Sequence, residues 1–144
     1  MTKIAAASVA ASVAASVAGQ PNILLIMADQ LSAPFLSIHG GPAITPNIDR
    51  LAAEGTTFTS AYSNSPLCAP ARFAMMSGQL NSKIGAYDNA SEFTSSIPTF
   101  AHHLRSAGYQ TTLVGKMHFV GADQLHGYEE RLTTDIYPAD FGWT

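Results

Sequence analysis

The residue types best able to do chemistry fall in three short stretches. One is Ser65-Pro66-Leu67-Cys68-Ala69-Pro70-Ala71-Arg72, which holds the single cysteine of the chain. A lone cysteine is ordinarily a small buried hydrophobe. This one stands between two prolines in a polar, turn-like stretch, at the expected start of a helix, with Arg72 about one helical turn further on. The helix dipole slightly disfavours a cation at such a start, so Arg72 needs a reason to be there. The second stretch is Gly115-Lys116-Met117-His118. If its backbone is extended, Lys116 and His118 point the same way. Lysine can then bind an anionic oxygen while histidine transfers a proton near neutral pH. The third is Asp29, directly after an apolar run. An aspartate there either caps a turn or offers a carboxylate oxygen to a hard divalent cation.

These stretches need elements to place them. Residues 22 to 27 form a continuous apolar run, as expected of a strand buried on both faces of a parallel sheet. Thr45-Pro46 offers a cap and a first-turn proline, Ile48, Leu51 and Ala52 form an apolar stripe, and Gly55 stops that helix. Residues 56 to 62 read as a second strand. Pro70 is expected to open the next helix, which ends near Gly78. Residues 81 to 96 are polar and turn-rich. Pro98 is expected to start a further helix, with Phe100, Ala101 and Leu104 inward and Gly108 at its end. Residues 109 to 114 read as a third strand, and loop is expected from Phe119 onward. Alternating strands and helices imply an α/β fold with a largely parallel sheet and flanking helices. In such sheets ligands gather beyond the carboxyl ends of the strands. Asp29, the Cys68 loop and residues 116 to 118 each follow an expected strand, so all three are placed on one edge.

A chain of 144 residues normally makes one domain with a sizeable core. Its net charge of −3 supplies no basic field for nucleic acid. One cysteine excludes an internal disulfide and says little about compartment. Residues 5 to 18 repeat Ala-Ala-Ser-Val behind Lys3, and Ser16-Val17-Ala18 offers a small-residue cleavage site. Residues 1 to 19 are therefore a low-complexity leader or a signal peptide, outside the folded region of 20 to 144. The run is too short and too weakly apolar to span a membrane. With cleavage the protein would be periplasmic or secreted; without it, cytoplasmic. His102 and His103 lie in an expected helix and point about 100° apart, as surface or packing residues. His39 and His126 take no assignment.

The order Cys68-Ala69-Pro70-Ala71-Arg72, followed four residues later by Ser77-Gly78, resembles the modification motif of the type I sulfatases. The resemblance implies the N-terminal part of an alkaline-phosphatase-like fold. It implies that a maturation enzyme oxidises Cys68 to formylglycine, whose hydrate carries two hydroxyls on one carbon. One attacks sulfur, and the other later expels sulfate by collapse to the aldehyde. By resemblance Arg72 steadies the hydroxylate, and Lys116 and His118 match the family's Gly-Lys-x-His. Asp29 and position 68 would hold a divalent metal, calcium by resemblance. The family often has two aspartates at that point, where this chain has Asp29-Gln30.

Tyr87-Asp88-Asn89-Ala90, residues 115 to 121, and the run from Glu129 to Trp143 are similar to the choline sulfatase branch of that family. Choline carries a quaternary ammonium, and aromatic faces bind such cations, tryptophan best. By resemblance Trp143 and Asn89 would hold the substrate, a small sulfate ester. A phosphonate or phosphate monoester hydrolase of the same superfamily is the alternative. The resemblance also implies that the full enzyme is several times longer. The 144 residues alone are then expected to be an inactive fragment prone to aggregate, with oligomeric state open.

Overall fold

Proline and glycine mark the helix ends of this chain, whose computed structural model describes residues 19–135. Helix α1 runs Pro46–Glu54, with proline in its first turn and Gly55 directly after it. Helix α2 runs Cys68–Ser77 and closes on Gly78, whose left-handed φ of 67° lets its N–H reach the Ala74 carbonyl. A short α3 spans Asn81–Ile84 and α4 spans Phe100–Ser106. Thr99 caps α4 in a reciprocal box with His102, which gives that histidine a structural role. Strands β1 (Thr112–Leu113) and β2 (Glu130–Arg131) pair in parallel, Thr112 opposite Glu130 and Leu113 opposite Arg131. Helices with a parallel pair make the chain α/β, as the alternation implied.

Several boundaries differ from expectation. Helix α2 begins at Cys68, not Pro70, so the cysteine itself lies in the first turn. Helix α4 begins two residues after Pro98, and residues 130 and 131 form a strand where loop was expected. Residues 22 to 27 and 56 to 62 form no strand, and Ile26 and Phe58 are 66% and 70% exposed. An apolar run becomes a strand only when a neighbour meets its backbone donors and acceptors. No such ladder forms for these runs among the described residues.

The chain divides into two units at Ala61 and Tyr62. In the first, α1 and two 3-10 turns, Ala33–Phe35 and Ser37–His39, meet around Asp49. The Ser37 hydroxyl lies 2.7 Å from both Asp49 carboxylate oxygens, and Thr45 Oγ1 donates to Oδ1 at 3.3 Å. Negative charge in a first helical turn is favourable there. No described residue of this unit is buried, and the expected inward stripe of α1 leaves Leu51 56% exposed.

The second unit holds the core. Phe73 stacks on Phe93 at 4.4 Å and 6°. The His126 ring lies 4.4 Å from both Phe93 and Phe119. Met76, Ala101, Leu113, Met117 and Tyr128 also belong to this cluster. This column of rings joins α2, the segment before α4, and the crossover from β1 to β2.

Candidate active site

Helix α2 opens on Leu67, which has no side chain to cap it. The first-turn N–H groups therefore need partners from elsewhere. Asn89 supplies one: its Oδ1 accepts the Ala69 N–H at 3.0 Å. Upstream, the Ser65 hydroxyl accepts the Leu67 N–H and the Ser63 hydroxyl donates to the Ser65 carbonyl, fixing the approach to Cys68. Cys68 is a free, half-buried thiol at the positive end of a ten-residue helix. Negative charge formed on its side chain is stabilised there.

Arg72 is buried to 5% exposure, and its Nη1 donates to the Lys116 carbonyl at 2.7 Å. Desolvation makes such a charge-assisted bond costly to remove. It ties the cysteine helix to the Lys116–His118 segment, which accounts for a cation so near a helix start.

His118 is fully buried. Its Nε2 lies 3.2 Å from the Asn89 carbonyl oxygen, which can only accept, so Nε2 carries the proton and Nδ1 is the basic nitrogen. Burial lowers its basicity below that of an ordinary imidazole, and the Lys116 ammonium adds to this. The Asp135 carboxylate and the Asn89 carbonyl oppose them. A neutral imidazole near pH 7 is a competent proton acceptor. The extended geometry expected for residues 116 to 118 is not adopted: His118 has a φ of 61°, in the left-handed region. The Met117 and Phe119 N–H groups both donate to Asp135 Oδ2, at 3.1 and 3.3 Å, and this convergence requires the turn.

Hydrogen bonds within the second unit thus tie Arg72 to the Lys116 backbone carbonyl, Asn89 to the Ala69 N–H beside Cys68, and His118 to the Asn89 carbonyl. Asn89 joins α2 to His118, since its side chain holds α2 and its backbone carbonyl holds His118. Asp29 lies in the first unit, exposed in a turn with Gln30, whose φ is 55°. Trp143 lies outside the described residues, as do residues 1 to 18 of the expected leader. Sequence reasoning missed Asp135 and Arg131, which no local motif marks. It also left His126 unassigned. That ring is fully buried, and neither nitrogen has a hydrogen-bond partner; Asp123 Oδ2 is 3.5 Å from Nδ1.

Among the described residues no three His, Cys, Asp or Glu side chains gather as a metal site. A hard cation takes six or more oxygen ligands, so Asp29 with position 68 does not fit one alone. No described helix is long and apolar enough to cross a membrane.

The sulfatase family model matches residues 21–140. The choline-sulfatase of Rhizobium meliloti (strain 1021) is 62% identical over 129 residues, covering 88% of this chain and 25% of that protein. The N-acetylglucosamine-6-O-sulfatase of Bacteroides thetaiotaomicron is 37% identical over 130 residues, covering 85% of this chain and 23% of that one. Among solved structures, BT4656 in complex with its substrate D-glucosamine-2-N,6-O-disulfate aligns with a TM-score of 0.61 and 38% identity. That alignment covers 67% of this chain and 19% of the other. The chain thus spans about a quarter of the length of the curated relatives it matches.

Proposed function

Since the chain belongs to the sulfatase family, we propose that its second unit carries the nucleophile side of a sulfuric ester hydrolase whose substrate is choline sulfate. The observation that supports this reading best is the 62% identity to a choline-sulfatase over 88% of this chain. The alkaline-phosphatase-like α/β architecture of the structural neighbours agrees with it.

Sulfatases as a family use formylglycine and a divalent metal; at position 68 the aldehyde hydrate would supply the attacking hydroxyl. The chain's own residues then have distinct tasks. The α2 N-terminus and the Arg72 guanidinium favour negative charge on the side chain of residue 68. His118 accepts a proton at Nδ1 while Nε2–H stays on the Asn89 carbonyl. Lys116 binds a sulfate oxygen, and Asn89 offers its Nδ2 donors to another. By resemblance Trp143, outside the described residues, is the proposed aromatic partner of the choline ammonium. By resemblance Asp29, in the first unit, and position 68, in the second, are each proposed as a metal ligand, with calcium the expected cation. The implied partners are a maturation enzyme that modifies Cys68 and the small sulfate ester itself.

The test is sulfate release by the full-length protein, produced in a host that forms formylglycine. Choline sulfate should be hydrolysed faster than an aryl phosphonate, and Cys68→Ala should abolish turnover. Dominant phosphonate hydrolysis would assign the site to a phosphonate monoester hydrolase instead.

A further inference from the structure

We propose that Asp135, paired with Arg131, is a positioning residue that holds His118 in its left-handed turn and so fixes where its ring stands in the site. The inference rests on the reading of His118 as the proton-transfer group.

Three independent contacts carry it. The Met117 and Phe119 N–H groups flank His118 and converge on one oxygen, Asp135 Oδ2. Backbone amides that converge on one anion form a nest, a concavity built with a residue in the left-handed or a turn conformation, and His118 between the two amides has a φ of 61°. A histidine there is uncommon, and it persists only when its surroundings impose it. The third contact is Arg131, whose Nη2 donates to the same oxygen at 2.7 Å. The carboxylate is fully buried and the guanidinium 9% exposed, so each charge depends on the other. Arg131 is itself held: Nη1 donates to the carbonyl and side-chain oxygens of Gln124, and Nε to the Thr133 carbonyl. Its guanidinium lies 5.6 Å from the centre of the Phe119 ring. The turn that presents His118 is therefore bolted to the end of β2.

An ion pair that merely closes the structure would not need to grip both amides beside the histidine. Charge separates the two roles as well. Burial and the cations Lys116 and Arg72 lower the basicity of His118, while Asp135 and the Asn89 carbonyl raise it.

The experiment compares full-length wild type with Asp135→Asn, which keeps an acceptor oxygen and loses the charge. Turnover of choline sulfate and the ring signals of His118 in histidine-labelled protein are both read. Asp135→Asn should lower kcat by ~10–100-fold, as loss of an orienting partner does, with KM changed less than about threefold. The His118 signals should move and titrate at lower pH than in wild type. Wild-type kcat with unmoved His118 signals would overturn the proposal. If Asp135→Asn does not fold, Arg131→Lys, which keeps the charge and loses the fork, should show a smaller change of the same pattern. An unchanged kcat and unmoved His118 signals there would equally overturn it. If wild type is inert toward choline sulfate, the substrate reading fails, and the His118 ring signals alone decide the positioning role.

Discussion

Asn89 shows how much one residue can hold. Its Oδ1 completes the start of α2 and its carbonyl accepts from His118, the proposed proton-transfer group. Asn89→Ala should lower stability by about 1 kcal/mol, the usual cost of a lost helix cap, and should reduce turnover through the lost Nδ2 donors, since the backbone carbonyl on His118 remains. Asn89→Asp keeps the cap acceptor and should retain the stability, which thermal melts of both variants would reveal. The sequence marks Asn89 only through its likeness to a branch of the family, and the likeness suggests a substrate contact. Its tie to Ala69 spans twenty residues, and no local pattern records such a contact. Asp135 was illegible for the same reason, since its amide partners lie 16 and 18 residues away.

At the scale of elements, the three longer helices were legible, while the short α3 and most strands were not. A helix satisfies its own backbone, so Pro46, Gly55 and Gly78 mark boundaries whatever lies around them. A strand depends on a distant neighbour, so the apolar runs at 22 to 27 and 56 to 62 promised more than the described residues deliver. The start of α2 was misplaced because Pro70 was read as the first helical residue, whereas the helix begins two residues earlier and Asn89 holds its Ala69 N–H. Gly78 gives a clean test of an end. A Cβ there would meet nothing within 4 Å, so only backbone strain opposes substitution. Gly78→Ala should cost about 1 kcal/mol, measured by chemical denaturation.

For the whole molecule, two buried histidines link stability to pH. His118 and His126 are both lowered from the ordinary 6.5, chiefly by burial. The unfolded chain then binds protons more readily than the folded one. Their stabilisation is complete above about pH 6.5 and is lost as pH falls below it. Melting temperature should drop between pH 7.5 and pH 5. His126→Phe, a ring of similar shape between Phe93 and Phe119, should flatten that slope. An unchanged slope would show that His126 is not the group responsible. The exposed apolar runs have their own outcome: the 144-residue chain expressed alone should aggregate, which light scattering would report.

The ring column and the Asp135 clamp also have a consequence in time. Phe119, His126 and Asp135 stand 51 to 67 residues after Cys68, so the ribosome makes them after it. At roughly 5–20 residues per second, several seconds separate the synthesis of Cys68 from that of the groups that close around its helix. During that interval α2 has no floor to pack on, and the thiol is as open to a modifying enzyme as any unfolded segment. Once the rings stack, access narrows to a half-buried side chain. The fold thereby schedules when the Cys68 side chain, the proposed nucleophile, is reachable.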